Sequence, residues 1–320
     1  VFVTSGYNNT TDGIGRLYVL DAVAGTAKFS LLTTGGTAAT PSGLAKISAW
    51  VDDGLSDNTV LRVYGGDTLG NLWRFDVNDI IPPAGKEASK LAFFKAGAYL
   101  QPITTKPELG LIRSYATPTN QYPVVFVGTG KYLGSSDVTD AGQQSIYAIR
   151  DDLTAAGVGD VRNAPSCPFV KQNLVVSGTS TFTVTNNAID FATSCGWYLD
   201  FSAPPTPAGE RMNVDPKLQL GVLAVATNIP STSICNVGGS SNLYFFDARG
   251  YTGTLENPPA VVGQSIGSSI AVGINTYKLP DGRVVSTVTT SDDKHPVFAN
   301  PDLGLIGATT KRVLWRELLN

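Results

Sequence analysis

An almost all-β chain folded as a β-propeller is what this sequence predicts, and three observations carry the prediction. A strand, turn, strand unit recurs along 320 residues; 34 Gly and 19 Pro supply many turns and little uninterrupted helical pattern; and the strands are aromatic and β-branched on both faces. A one-sided sheet would alternate apolar and polar residues, whereas blades packed between neighbouring blades bury both faces.

The clearest unit is Arg62-Val63-Tyr64-Gly65-Gly66-Asp67-Thr68-Leu69-Gly70-Asn71-Leu72-Trp73-Arg74-Phe75-Asp76, two β-favouring strands around a Gly/Asp turn, with Asp76 able to accept backbone N–H bonds. Taken in chain order, Val1-Phe2-Val3 precedes Leu17-Tyr18-Val19-Leu20-Asp21, and Leu61 to Tyr64 precedes Leu72 to Asp76. Val124 to Val127 precedes Ile146-Tyr147-Ala148-Ile149-Arg150, with the acidic residue one place later at Asp151. Val222 to Val225 precedes Leu243-Tyr244-Phe245-Phe246-Asp247. The spacing between units widens beyond the roughly 40–50 residues of a compact blade, so long insertions must decorate the loops. Val1 already lies inside a strand, and four repeats are few for rings of about four to eight blades. The expectation is an incomplete ring lacking N-terminal blades, with residues 1–320 forming the C-terminal propeller domain of a longer chain. A complete four-bladed ring is the alternative.

Composition excludes some function classes. Only 15% of residues are charged and the formal net charge is −3, which gives no basic field for nucleic acid. No apolar run approaches the roughly 20 residues of a membrane helix. The three cysteines show no Cys-x-x-Cys spacing, against a zinc ribbon or thioredoxin-type site. Cys167 and Cys195 bracket an insertion containing the strand Thr181 to Thr185, and bridging them would stabilise it by about 3–4 kcal/mol through loop entropy. Cys235 is then free or paired elsewhere; Cys195 with Cys235 is the rival pairing.

Catalysis finds little to work with. His295 is the only histidine, no Gly-x-Ser-x-Gly elbow is present, and the adjacent carboxylates Asp151/Asp152 and Asp292/Asp293 would point to opposite faces of a strand. The chain is therefore read as a non-enzyme. Asn8-Asn9-Thr10-Thr11-Asp12-Gly13 is rich in oxygen, but turn chemistry accounts for it, and Ser291 to His295 reads as an exposed loop. Trp50, Trp73, Trp197 and Trp315 suit packing between sheets better than stacking on a ligand. Tyr7, Tyr122 and Tyr132, in Gly/Ser/Asn-rich loops, would suit sugar or protein contacts as exposed residues, and suit loop packing equally.

Five stretches in order resemble the PilY/PilC family of type IV pilus tip-associated proteins. They are Arg62 to Phe75; Val125-Phe126-Val127-Gly128-Thr129-Gly130-Lys131-Tyr132-Leu133-Gly134; Gly196-Trp197-Tyr198-Leu199-Asp200 followed by Gly209-Glu210-Arg211; Cys235 with Gly238-Gly239 ahead of Leu243-Tyr244; and Arg312-Val313-Leu314-Trp315-Arg316-Glu317-Leu318. The resemblance implies a modified quinoprotein-like propeller that supports pilus biogenesis, extension and retraction control, and surface adhesion. It implies an extracellular place at the pilus tip or outer cell surface, with minor pilins or a tip complex and a host or abiotic surface as partners. A secreted lectin-like or protein-docking propeller is the alternative. A quinoprotein dehydrogenase fragment, which would share the Asp21 to Gly25 type of turn, is a more distant one. The family's propeller also carries a calcium loop before the hairpin. Its aligned positions here are Asp53, Leu55, Asp57, Thr59 and Leu61, so Asp53, Asp57 and the Thr59 carbonyl are the implied ligands. Leu55 and Leu61 offer no side-chain oxygen to a cation that takes about six to eight, though Asp52, Ser56 or Asn58 could compensate in a shifted register. The plainer account is a β-turn solvated by Asp52, Asp53, Asp57 and Asn58.

Overall fold

The computed structural model describes residues 1–320 except 10, 55, 79–85, 114–118, 165–166, 178–179, 202–208, 233–237, 251–261, 301–309 and 313–320. Its strands form successive antiparallel meanders. The first sheet holds β1 (Phe2–Thr4), β2 (Arg16–Leu20) and β3 (Ala27–Leu32), and the second is built on β4 (Ile47–Trp50), β5 (Arg62–Gly66), β6 (Asn71–Asp76) and β7 (Ala88–Phe93). A small hairpin, β8 (Lys95–Ala96) and β9 (Tyr99–Leu100), leads to the third sheet, which begins with β10 (Glu108–Arg113), β11 (Gln121–Gly128) and β12 (Ser145–Arg150). Four short strands then intervene, β13 (Gly159–Asp160), β14 (Phe169–Gln172), β15 (Leu174–Ser177) and β16 (Thr181–Val184). Only after them does β17 (Gly196–Asp200) complete the third meander.

The fourth sheet contains β18 (Lys217–Gln219), β19 (Val222–Ile229), β20 (Ser240–Asp247) and β21 (Gly263–Gly267), and the fifth contains β22 (Ala271–Lys278), β23 (Val284–Thr290) and β24 (Val297–Ala299). The backbone of β25 (Thr310–Arg312) pairs with β10 on the edge opposite β11. Strand β4 approaches β10, β10 approaches β18, and β18 approaches β22, so these opening strands line a common axis. Two 3-10 turns, Ser135–Thr139 and Val161–Asn163, are the helical elements among the described residues, and no helix there is long and apolar enough to cross a membrane.

The two-residue side-chain period of a strand explains why the recurring segments are apolar throughout. On β11, Val124 and Phe126 enter the core shared with the fourth sheet, while Val125 and Val127 enter the core shared with the second. On β12, Ile146 and Ala148 go one way and Tyr147 and Ile149 the other. Likewise Val63, Trp73 and Phe75 face the first sheet, Tyr64 and Leu72 the third; Leu243 and Phe245 face the fifth sheet, Tyr244 and Phe246 the third. Each side chain buried in this way contributes roughly 1.5–3 kcal/mol relative to exposure. Stacked, twisted sheets around an axis are the propeller arrangement, and the four recurring hairpins supply the β1/β2, β5/β6, β11/β12 and β19/β20 pairs. The fifth sheet had no such signature in the sequence.

Candidate functional site

Strand directions sort the connections onto two faces. One face carries the loops after β1, β3, β5, β7, β11, β17, β19, β21 and β23, and with them Gly128 to Gly134, Gly209 to Arg211, and Gly238-Gly239. The opposite face carries the loops after β2, β4, β6, β10, β12, β20 and β22, including the Asp52 to Thr59 loop.

On the first face, segments far apart in sequence interlock around Arg211, which is 2% exposed. Its guanidinium donates to the carbonyls of Gly209 (2.9 Å), Lys131 (3.0 Å), Asp137 (2.5 Å) and Asp140, holding the loop 131–140 in place. Burial pushes the pKa of Arg211 down, and nearby acidic groups oppose that shift. Within the loop, the Asp137 carboxylate accepts the N–H groups of Leu133 (2.8 Å) and Gly134 (3.2 Å) and meets the Lys131 ammonium at 3.1 Å. Burial raises the Asp137 pKa, but these partners outweigh it and the carboxyl lies below its usual range. Two glycines allow the approach. At Gly128 a Cβ would lie 1.9 Å from Met212 Sδ, and Gly130, at φ +135°, leaves no room beside Arg211 Cβ, which would be 2.5 Å away. Neighbouring Glu210 accepts from Thr227 Oγ1, Asn242 Nδ2 (2.9 Å) and Tyr244 Oη (2.8 Å), joining this loop to the fourth sheet. The resulting surface is a platform pinned by these bonds.

A second network locks the second sheet to the third. Asp151, 1% exposed, accepts Arg74 Nη1 at 2.6 Å and Tyr64 Oη at 2.7 Å; Arg62 Nε donates to the same Tyr64 hydroxyl at 2.8 Å and its guanidinium lies 4.4 Å from the Trp50 ring. Burial, reinforced by Asp151, raises the Tyr64 pKa well above its ordinary value. Further out, Arg162 stacks 4.7 Å over Tyr198 and pairs with Asp200, which also meets Lys171 at 3.0 Å and Ser145 Oγ at 2.6 Å. Burial raises Asp200, but hydrogen bonds and charge from Arg162 prevail and hold its carboxyl low. On the β5–β6 turn, Asp67 receives Leu69 N–H, Asn71 N–H and the Trp73 indole (2.8 Å), while burial pushes its pKa up.

In the implied calcium loop, Asp53 and Asp57 face each other across a single antiparallel bridge. Asp53 Oδ2 accepts the Ser56 hydroxyl at 2.6 Å, Asp57 Oδ1 accepts Thr59 N–H at 2.8 Å, and Asp52 Oδ1 accepts the Trp50 indole at 2.7 Å. Hydrogen bonds from the Thr59 side chain and amide lower the Asp57 pKa. Both carboxylates thus accept hydrogen bonds from their own turn, whereas calcium takes about six to eight oxygens. Leu55 lies outside the described residues. Among the described residues no three His, Cys, Asp or Glu side chains are placed to share a cation. In the Asn8 to Gly13 loop, Asp12 is engaged by Asn9, Ile14 N–H and Arg16; Thr10 lies outside the described residues.

Trp50, Trp73 and Trp197 are buried between sheets, whereas Trp315 lies outside the described residues. The three loop tyrosines are half-buried instead of exposed. Tyr7 Oη donates to the Thr104 carbonyl at 3.1 Å, Tyr132 Oη to that of Gly238 at 3.5 Å, and Tyr122 packs by Phe191 on the opposite face. His295 is exposed beside Asp293. Asp151 and Asp152 diverge, the first buried and the second exposed against Arg150. Cys167 and Cys195 form a disulfide with Cα atoms 5.4 Å apart; Cys235 and most of the terminal Arg312 to Leu318 stretch lie outside the described residues. Sequence reasoning missed the Arg211 and Asp151 networks. Arg62 and Arg74 inside otherwise apolar strands were the available signal, since a cation there needs a buried partner.

A family model described as the PilY1 beta-propeller domain matches residues 1–187. Among curated relatives, the type IV pilus biogenesis factor PilY1 of Pseudomonas aeruginosa is 30% identical over 79% of this chain and 24% of its own length. A type IV pilus biogenesis factor PilY1 homolog of Xylella fastidiosa is 28% identical over 93% of this chain and 21% of its own length. The chain thus spans about a fifth to a quarter of the length of these relatives. The crystal structure of the Pseudomonas aeruginosa PilY1 C-terminal domain superposes with a TM-score of 0.73 at 22% identity, covering 94% of this chain and 69% of that one, a likeness of fold. With a family match over more than half of its residues, the chain belongs to the PilY1 beta-propeller domain family.

Proposed function

We propose that this chain is the propeller portion of an extracellular type IV pilus factor that supports pilus biogenesis, works at the pilus tip or outer cell surface, and contributes to extension, retraction and surface contact. Minor pilins or a tip complex are its partners. The observation that carries this reading is the 30% identity to the type IV pilus biogenesis factor PilY1 over 79% of the chain. The pinned platform around Arg211 suits docking without catalysis, because Arg211, Asp137 and Glu210 are engaged by main-chain and side-chain contacts within the protein. Immunogold labelling of intact cells and sheared fibres, alongside piliation and twitching in a deletion strain, tests it. Label at pilus tips with loss of pili on deletion is the expected result. Label absent from fibres with normal pili on deletion overturns it and leaves a secreted binding propeller.

A further inference from the structure

The opening strands differ at their inner edges. Among the described residues, β4, β18 and β22 each end their sheet on the side of the axis, whereas β10 carries one more strand there, β25, through Gly110↔Arg312, Leu111↔Lys311 and Ile112↔Thr310. This strand does not belong to the meander it joins. It follows the fifth sheet in sequence, and β10, β11, β12 and β17 already give the third sheet the same four-strand run that β18 to β21 give the fourth. Because β10 starts at the face that carries Arg211 and the pairing is antiparallel, β25 enters the axis from the opposite face and runs towards the Arg211 face.

We propose that the inner edge of β10 is a preformed strand-addition site at the propeller axis, a receptor for an extended peptide. Its resident ligand is the chain's own 310–312, and it takes the same segment from another copy when its own is withheld. The edge is built by contacts that do not involve its occupant. Strand β10 pairs with β11 from Glu108↔Phe126 to Arg113↔Gln121, and it buries Leu109 in the core shared with the second sheet and Ile112 in that shared with the fourth. Leading into it, Lys106 N–H donates to Asp215 Oδ1 at 2.9 Å, and the Pro107 carbonyl accepts the Ser48 hydroxyl. Glu108 Oε1 accepts Leu218 N–H at 3.4 Å, and a Cβ on Gly110 would lie 2.8 Å from Leu218 Cδ2, so β18 closes on β10 from the side. None of these contacts comes from β25.

Main-chain chemistry says what the edge binds. In an antiparallel strand, alternate residues turn their N–H and C=O away from one neighbour, here away from β11 and towards the axis. Glu108, Leu109, Gly110 and Ile112 are buried, and a main-chain group left unpaired in such surroundings costs about as much as a lost hydrogen bond. The edge therefore selects a segment that presents donors and acceptors in register, and strand addition draws its affinity from those bonds. The stretch Thr309-Thr310-Lys311-Arg312-Val313 has β-branched residues and neither Pro nor Gly, as an added strand requires.

Lys311→Pro in the full chain tests the site, because it removes the middle N–H of the segment and blocks strand pairing. The measurements are fluorescence anisotropy with a labelled synthetic peptide of residues 307–315 and hydrogen exchange read by mass spectrometry. The variant should bind the peptide saturably, and the natural chain at least about tenfold more weakly, its own segment competing at high effective concentration. Exchange in 108–113 should quicken in the variant and slow again when the peptide is added, with 62–76, 121–128 and 222–229 unchanged. A peptide carrying Lys311→Pro should not bind. No uptake of the peptide by the variant, exchange in 108–113 unaltered by the substitution, or protection lost evenly through every sheet overturns the proposal.

Discussion

At the scale of single residues, the networks rest on buried charges that meet partners from distant segments. Arg211→Ala leaves four main-chain carbonyls without their donor, and should cost on the order of 3 kcal/mol or more in urea unfolding. Gly128→Ala drives a methyl group into Met212 and should cost about 1–3 kcal/mol, part of which Met212→Ala recovers in the double variant. Asp200 gives the pH dependence a sign. Its folded pKa is depressed, so its contribution is present above the unfolded value of about 3.9 and is lost as pH falls through the folded value. Asp200→Asn should therefore lower stability at pH 7 and narrow the gap to the natural chain below about pH 4, read from urea melts across pH. These roles were only half legible in the sequence. Glu210 and Arg211 stood out as part of a stretch that carries the family resemblance, but most of their partners come from residues 131–140 and from β19 and β20, contacts that no local spacing encodes.

At the scale of elements, hairpins were readable because period and turn chemistry agree. The β5–β6 hairpin places Asp67 where its carboxylate closes the turn and holds Trp73, and Asp67→Ala should destabilise by about 2 kcal/mol while exposing β5 and β6 to faster exchange. Neighbours along one strand serve different interfaces. Phe126→Ala should cost about 3–5 kcal/mol and loosen the third and fourth sheets while sparing the contact of the first with the second. The fifth sheet escaped notice because β22 and β23 are rich in Thr, Ser and Gly and lack the aromatic pair that marks the other hairpins. Strands β13 and β14 escaped because their pairing is parallel and depends on partners supplied from elsewhere.

At the scale of the whole molecule, the five sheets are held by apolar cores between them and by ties across the axis, such as Lys46 to Asp215 at 2.8 Å, which links the segment before the second sheet to the one before the fourth. Since the Asp53 to Thr59 turn closes on itself, millimolar calcium should raise the melting temperature no more than magnesium does, checked by calorimetry on metal-stripped protein. The sheet architecture was legible from composition and repetition, while its ties were not, because they join residues distant in sequence. The connection 151–195, which adds β13 to the second sheet, β14 to the third and the β15–β16 hairpin to the fourth, has a consequence for biosynthesis. A chain emerging from its N-terminus completes the second sheet only when Gly159–Asp160 has emerged, the third must wait at least for Gly196–Asp200, and the β15–β16 hairpin has no partner until Gly263–Gly267 has emerged. Three neighbouring sheets thus share one late assembly step, and their folding order is set by the route of the backbone instead of by its sequence of hairpins.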